Sequence, residues 1–214
     1  MTTTRDIPRP RFARMYLKAG ARLDRRGVAE HRRRLLDGMS GRVVEMGAGN
    51  GLNFAHYPAT VTEVVAIEPE PTLRAAAERA ASEAPVPVGV RAGTAEALEL
   101  EDGEMDGAVA SLVLCSVPDQ ARALAEVRRV LRPNGELRFY EHVIADRQPL
   151  RAILHIADRS GLWPALCGGC HPARDTGAAI EAAGFTIERC ERFGFRASPL
   201  EPSVPHILGV ARRS

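Results

Sequence analysis

The sequence has no long hydrophobic run. No stretch of its 214 residues approaches the roughly 20 consecutive apolar residues that a transmembrane helix needs. The N-terminal residues carry several arginines and lack the apolar segment of a secretory signal. These absences argue against a membrane-spanning or exported protein, and we expect a cytoplasmic one.

Cysteines and aromatic residues are also few. The chain has four cysteines, and aromatic residues make up 5% of it. Without an export signal, we expect free thiols rather than disulfides. The run Cys167-Gly-Gly-Cys170-His171 matches the spacing of covalent haem attachment, but no second C-x-x-C completes a four-cysteine zinc site. We therefore expect no metal, and interpret the pair as redox-sensitive thiols or as residues that line a substrate site.

Lysine occurs once, so arginine supplies nearly all the positive charge. Residues 1–42 contain twelve basic and four acidic residues, a net +8, whereas the remainder contains seventeen basic and twenty-three acidic residues, a net −6. No aromatic platform or recognised module accompanies the basic segment, which argues against nucleic-acid binding. We expect a solvated helical face that attracts an anionic ligand or makes peripheral contact with an anionic membrane.

The segment 42–51 is typical of a buried strand that turns sharply into a helix. Its two consecutive valines are followed by glycines at alternate positions, Gly47, Gly49 and Gly51. Glycines allow positive φ and leave the main chain open to a nucleotide-like ligand. Alone, this spacing also fits an ordinary tight turn.

An acidic residue follows the glycines at a distance that favours a binding loop. Asn53 and Phe54 are predicted to begin a helix, and residues 61–67 to form a second strand that ends at Glu68. From Glu45 to Glu68 is 68 − 45 = 23 positions, close to the roughly twenty at which dinucleotide-binding folds place an acid on the ribose hydroxyls. The alternative is an exposed glutamate at a strand end.

Strands and helices alternate through the rest of the chain. Further strands are predicted over residues 86–90, 107–115, 136–143, 185–192 and 206–211. Helices are predicted over residues 72–83, from 118, and over 149–160 and 174–183, with irregular chain over 161–172. This order predicts an α/β fold whose parallel sheet has helices on both faces and binds ligands at the carboxyl ends of its strands.

Residues 1–40 are predicted to form an amphipathic helical cap on a domain of residues 41–214. The apolar spacing over 10–38 indicates one or two helices, broken near Gly20 or Gly27. The cap fits equally a helix against the sheet edge and a lid over the ligand. We assign Tyr16 to packing.

Several of these segments resemble motifs of the class I S-adenosylmethionine-dependent methyltransferases. The resemblance covers residues 40–212 and rests on segments 45–51, 93–96 and 131–135 together with Glu68. It implies a Rossmann-like, seven-stranded, mostly parallel sheet with S-adenosyl-L-methionine as cofactor. It assigns cofactor contacts to Glu45, Gly47, Ala48, Gly49, Gly51, Asn53, Glu68, Pro69, Thr94, Ala95, Glu96, Ser111, Leu112 and Ser116. Thr94 stands where the family has an acid near the adenine.

Within that family, other segments resemble the alkyl thiol S-methyltransferases: 53–54, 112–117, 141–142, 169–170 and 205–207. Those relatives have an N-terminal hydrophobic membrane anchor that is not seen here. The resemblance implies a small-molecule acceptor, a metabolite or natural product methylated on a thiol. Methylation of oxygen, nitrogen or carbon on a quinone, phenol or phospholipid is the alternative. Two alternatives from other functional classes are a catalytically silent cofactor-binding protein and a dinucleotide-dependent dehydrogenase. We expect the protein to be a monomer or a homodimer.

The sequence indicates the catalytic residues less clearly than the residues of the cofactor site. A sulfonium is already a strong electrophile, so the protein mainly has to align the reactants. A thiol with a reference pKa of about 8.5 needs only modest help to ionise. His142, just beyond the fifth strand, is our candidate base or thiolate stabiliser, and it fits a structural hydrogen bond equally well. His171 and His206 are further candidates, and Arg174 either orients an acidic substrate or caps its helix.

Overall fold

The computed structural model describes residues 6–196 and 203–214. Its strands are β1 Gly41–Met46, β2 Val61–Ile67, β3 Val88–Arg91, β4 Met105–Ser111, β5 Leu131–His142, β6 Phe185–Phe195 and β7 Val204–Arg213. Its α-helices are α1 Pro10–Leu23, α2 Ala29–Leu36, α3 Pro71–Ala81, α4 Gln120–Val130, α5 Leu150–Arg159, α6 Leu162–Leu166 and α7 Thr176–Ala182.

The seven strands form one sheet in the order β3-β2-β1-β4-β5-β7-β6. Strands β1 to β5 pair in parallel, and β7 runs antiparallel between β5 and β6. The chain order reverses between β1 and β4, which is where doubly wound sheets leave a crevice for ligands. The predicted Rossmann-like, seven-stranded, mostly parallel sheet is confirmed.

Side chains of β1 alternate between two hydrophobic layers, as the pleat of a strand requires. Val44 and Met46 join the layer covered by α4 and α7, whereas Val43 joins the layer covered by α2 and α3. Helices therefore cover both faces of the sheet, as predicted.

Three helices begin at acidic residues that accept a hydrogen bond from the first turn. Glu70 accepts from the Leu73 N–H at 2.8 Å, and Asp119 accepts from the Arg122 N–H at 3.0 Å. Asp175 caps α7 in the same way. Side-chain acceptors of this kind satisfy N–H groups that have no partner within the helix. The predicted start of α4 at residue 118 is two residues early because Asp119 is its cap.

Three local predictions are wrong. The predicted helix from Asn53 is a single 3₁₀ turn, Phe54–His56. The predicted strand over 107–115 ends at Ser111, because Leu112 has a φ of 60° and turns the chain out of the sheet. The predicted irregular region 161–172 contains the short helix α6.

The N-terminal segment is two helices with a break at Gly27. A π-helical turn, Asp24–Val28, joins them, and Gly27 has a φ of 117° that favours glycine. Gly20, the other predicted break, lies within α1. Leu35 and Leu36 of α2 are buried in the layer that contains Val43. The cap is thus continuous with the core beneath it.

Among the described residues, no helix combines the length and apolar composition that crossing a membrane requires. The sequence over 197–205 contains three prolines and is too long for a tight hairpin, and residues 197–202 of it lie outside the described residues.

Replacing Leu36 by Ala is expected to reduce the free energy of unfolding by about 2–5 kcal/mol, because a fully buried side chain leaves a cavity. Urea unfolding measures this loss. Arg33→Ala in the same helix is the control, since the Arg33 side chain is 66% exposed and its ion pair with Glu30 contributes about 0.5 kcal/mol. Equal, small losses for both variants would show that the cap is not part of the core.

Candidate active site

A cleft opens at the carboxyl ends of β1, β2 and β4, beside the strand-order reversal. Ten residues predicted to contact the cofactor line it: Gly47, Gly49, Glu68, Pro69, Thr94, Ala95, Glu96, Ser111, Leu112 and Ser116. Four others do not: Glu45, Ala48, Gly51 and Asn53. The cleft wall is mostly apolar, with Glu68 and Glu96 among its charged groups.

The glycine loop forms the floor of the cleft. Gly47 and Gly49 have φ values of 56° and 60°, which disfavour other residues. A Cβ on Gly47 would lie 2.7 Å from a Val113 methyl carbon, and one on Gly49 would lie 3.3 Å from the Tyr16 ring. A side chain at Gly47 would collide with Val113, and one at Gly49 would press on the Tyr16 ring, so glycines here keep the main chain accessible from the cleft.

Glu68 connects the end of β2 to this loop. One carboxylate oxygen accepts from the Gly49 N–H at 2.7 Å and the other from the Glu70 N–H at 2.8 Å. Burial raises the pKa of Glu68 to about 7, because removal from water disfavours the carboxylate. Hydrogen-bond donors from a ligand would favour the charged form. In that form the carboxylate can accept further hydrogen bonds from hydroxyl groups.

The N-terminal segment covers the cleft. The Ile7 N–H donates to the Pro69 carbonyl at 2.9 Å, and the Arg9 guanidinium donates to the Gly168 carbonyl. Tyr16 lines the cleft rather than only packing against the sheet edge, so its assignment to packing is wrong. The segment occupies the position of a lid.

A buried carboxylate shapes the opposite wall. Glu141, at the end of β5, accepts hydrogen bonds from three consecutive N–H groups of the loop after β4. The distances are 2.9 Å to Val113, 2.9 Å to Leu114 and 3.1 Å to Cys115. Burial raises the pKa of Glu141, and the three donors oppose that shift. Segments 112–117 and 141–142, separate in the sequence, are thus one unit.

Arg174 contacts the same loop. Its guanidinium donates to the Leu114 carbonyl at 2.8 Å and to the Val117 carbonyl at 2.7 Å. The Gln120 side chain also donates to the Leu114 carbonyl, at 3.1 Å. Arg174 therefore holds the loop and does not cap α7, whose cap is Asp175.

Glu45 lies beneath the glycine loop, on the same sheet face as Val43. It accepts from Asn53 Nδ2 at 2.8 Å and from the Tyr57 hydroxyl at 2.7 Å. Arg32 of α2 donates to Asn53 Oδ1 at 2.8 Å, which joins the cap to this network. Burial is the main cause that raises the pKa of Glu45 to about 7. The network supports the loop from below.

The three candidate histidines occupy different environments, and none is among the residues that line the cleft. His142 and His206 are paired across β5 and β7, with ring centroids 4.4 Å apart. His206 donates from Nδ1 to the Val204 carbonyl at 2.8 Å, and burial lowers its pKa to about 3. His171 lies 2.7 Å from Asp158 Oδ1 and lines a groove that adjoins the cleft.

The structure brings Cys115 next to Cys170, although they are far apart in the sequence. His142 Nδ1 lies 3.3 Å from Cys170 Sγ and 3.8 Å from Cys115 Sγ. A hydrogen bond from Cys115, together with His142, lowers the pKa of the Cys170 thiol. Cys167, the other half of the C-x-x-C run, is outside this cluster. The relevant partner of Cys170 could not be found from local spacing.

Comparison with known proteins identifies the family. Residues 44–139 match a methyltransferase domain model. The mouse thiol S-methyltransferase TMT1B is 36% identical over 183 residues, 82% of this chain and 73% of the relative. This chain belongs to the S-adenosylmethionine-dependent methyltransferases. The human thiol S-methyltransferase TMT1A is 34% identical to this methyltransferase over 182 residues, 81% of this chain and 72% of the relative.

Solved structures agree on the fold of this methyltransferase. The crystal structure described as a putative methyltransferase from Bacillus halodurans C-125 superposes with a TM-score of 0.71 at 16% identity, covering 87% of this chain and 98% of the other chain. A SAM-dependent methyltransferase from Methanosarcina mazei has a TM-score of 0.61 at 19% identity, covering 80% of this chain and 92% of the other. The cofactor of this methyltransferase is S-adenosylmethionine.

The residues present in the cleft fit that cofactor. Gly47 and Gly49 leave the main chain open, and the Glu68 carboxylate is buried at the end of β2. The Ser111 hydroxyl is buried and has no hydrogen-bond partner among the described residues. A buried polar atom without a partner is costly, which favours a ligand that supplies one.

Replacing Glu45 by Gln is expected to remove a pH-dependent part of the stability. The unfolded carboxyl titrates near pH 4.5 and the folded one near 7, so the folded state binds more protons between these values. The wild type therefore loses about 3 kcal/mol relative to the variant as the pH rises through this interval. Urea unfolding of both proteins across the interval measures the difference. A difference independent of pH would contradict the expectation.

Proposed function

We propose that this methyltransferase transfers the methyl group of S-adenosylmethionine to the thiol of a small, fairly apolar molecule. The observation that carries the proposal is the hydrogen bonding between segments 112–117 and 141–142, which both resemble thiol S-methyltransferases. The loop over 112–117 is held by Glu141, and the same loop supplies Leu112 and Ser116 to the cleft. Both curated relatives described above are thiol S-methyltransferases.

Each end of the cofactor is proposed to contact a different part of the cleft. Glu68 is proposed to accept hydrogen bonds from the ribose hydroxyls, and Thr94 to Glu96 to border the adenine. The open main chain at Gly47 and Gly49 is proposed to lie against the methionine portion. When bound, S-adenosylmethionine supplies an activated methyl group on a positively charged sulfur.

The acceptor is proposed to enter through the adjoining groove. The groove shares Phe12, Ser116 and Gly168 with the cleft and is also lined by His171 and Pro164. Two pockets with a common wall allow an acceptor and a methyl donor to meet while each retains its own contacts. Phe12 supplies apolar surface to both pockets, and Tyr16 supplies apolar surface to the cleft.

His171 is proposed to accept the proton of the acceptor thiol. It is the one candidate histidine that lines the groove. If its Nδ1–H donates to Asp158, the neutral ring keeps Nε2 as a proton acceptor. The buried His206 already donates to a carbonyl, and His142 contacts the two cysteines.

Glu68→Ala is expected to weaken S-adenosylmethionine binding by about 2 kcal/mol or more, since hydrogen bonds to a charged group contribute roughly 1.5–3 kcal/mol each. Calorimetric titration measures the affinity. Glu78→Ala, an exposed substitution on α3, is the control. Circular dichroism and thermal melting establish whether each variant is folded. An unchanged affinity in a folded Glu68→Ala protein would remove the ribose assignment.

The acceptor atom is tested with labelled S-adenosylmethionine and a panel of small thiols, phenols, amines and quinones. We expect label on sulfur, with apolar thiols preferred over charged ones. Label found only on oxygen, nitrogen or carbon overturns the thiol assignment. Tight cofactor binding without product on any acceptor would favour a catalytically silent protein.

A further inference from the structure

We propose that Cys115, His142 and Cys170 form a zinc site whose fourth position takes the sulfur of the acceptor thiol. The thiol part rests on the proposed function, whereas the metal part does not. The three side chains come from separate places in the fold: the loop after β4, the last residue of β5, and the loop after α6. Their ligand atoms all lie within 4.8 Å of one another.

The distances within the cluster suit a tetrahedral ion. With Zn–S of about 2.3 Å and Zn–N of about 2.0–2.1 Å, tetrahedral geometry places sulfur and nitrogen about 3.6 Å apart. His142 Nδ1 is 3.3 Å from Cys170 Sγ and 3.8 Å from Cys115 Sγ, on either side of that value. The histidine nitrogen therefore lies at a suitable distance from both sulfur atoms for the three to share one ion.

The backbone around the cluster is held independently of any metal. The Cys115 N–H donates to Glu141 at 3.1 Å, and the Cys115 carbonyl accepts from the His171 N–H at 2.7 Å. The Cys170 N–H donates to the Cys167 carbonyl at 3.1 Å. Cys115 and Cys170 are 0% and 4% exposed, so their sulfur atoms are withdrawn from bulk water. A preorganised and buried ligand set favours specific binding.

The ligand types select a thiophilic metal and leave one coordination position. Two cysteines and one histidine form the protein ligand set of catalytic zinc sites that retain a water or substrate, whereas structural zinc sites have four protein ligands. In the described part of the chain, no fourth His, Cys, Asp or Glu completes the cluster. Among the described residues, the fourth position is thus left to a water molecule or a substrate.

The cluster lies directly behind the cleft wall. Cys115 Sγ is 3.4 Å from the hydroxyl of Ser116, and Ser116 lines both the cleft and the adjoining groove. Gly169, which precedes Cys170, also lines the groove. The chain neighbours of two of the three ligands therefore line the groove through which the acceptor thiol is proposed to enter.

Binding is a simple ligand exchange. The thiols of Cys115 and Cys170 each release one proton to solvent as they bind Zn²⁺. The acceptor thiol then displaces water and gives its own proton to His171, the base proposed above, because a thiol that coordinates zinc is deprotonated. No oxidant or reductant is needed.

The metal part is tested on full-length protein without a histidine tag. Zinc titration against a chromogenic chelator and elemental analysis are expected to give one zinc ion per chain. Cys170→Ser and His142→Ala are expected to lower the affinity by on the order of 100-fold or more, since even changes to second-shell partners typically cost 10–100-fold. Cys167→Ser is the matched control and is expected to retain zinc, because Cys167 is outside the cluster.

S-adenosylhomocysteine binding and thermal melting establish that each variant is folded, and the two independent substitutions guard against one misfolded variant. No stoichiometric zinc in the wild type would overturn the proposal. So would equal loss of zinc from Cys167→Ser, or a disulfide between Cys115 and Cys170 detected by mass spectrometry in protein purified without a reductant.

The thiol part is tested on the Co²⁺-substituted protein. Adding an apolar thiol is expected to increase the sulfur-to-cobalt charge-transfer absorption, whereas the matching alcohol leaves it unchanged. An unchanged spectrum with the thiol overturns the coordination of the acceptor. Thiol methylation by a protein that binds no zinc would refute the metal site and leave the proposed function intact. Zinc binding without thiol methylation would support the metal site and contradict the proposed function.

Discussion

The interaction on which the site depends is the hydrogen bonding of the Glu141 carboxylate to three consecutive N–H groups after β4. A carboxylate without solvent exposure is costly unless several donors compensate it, and a loop that leaves a sheet carries N–H groups without partners. Each group satisfies the other. Leu112, with its positive φ, can therefore leave the sheet and direct the following residues toward the cleft.

The two sides of the cleft are supported by different layers. Beneath the glycine loop, Glu45, Asn53 and Tyr57 form a buried polar network that Arg32 joins to the N-terminal helices. Above it, the segment before α1 contacts Pro69 and Gly168. The N-terminal residues thus contribute to the stability of the loop as well as to the enclosure of the ligand.

Local pattern predicted much of the fold. The strand over 61–67, the glycine loop, Glu68 and the order of strands and helices follow from apolar periodicity and turn residues, which depend on neighbours in the sequence. The same reasoning failed for residues 112–115, because an apolar run looks alike in a strand and in a buried loop. It failed for Asn53, whose side chain bonds to Glu45 and Arg32 instead of starting a helix.

The sequence by itself determined the methyl donor, since the residues assigned to it follow successive strand ends and resemble the motifs of a known family. The tertiary structure decided which residues meet behind the wall of the cleft. Cys115, His142 and Cys170 come together only because β4 and β5 are adjacent in the sheet and the loop after α6 returns to their ends. No local periodicity encodes such contacts, because each depends on the docking of segments whose separation along the chain is arbitrary.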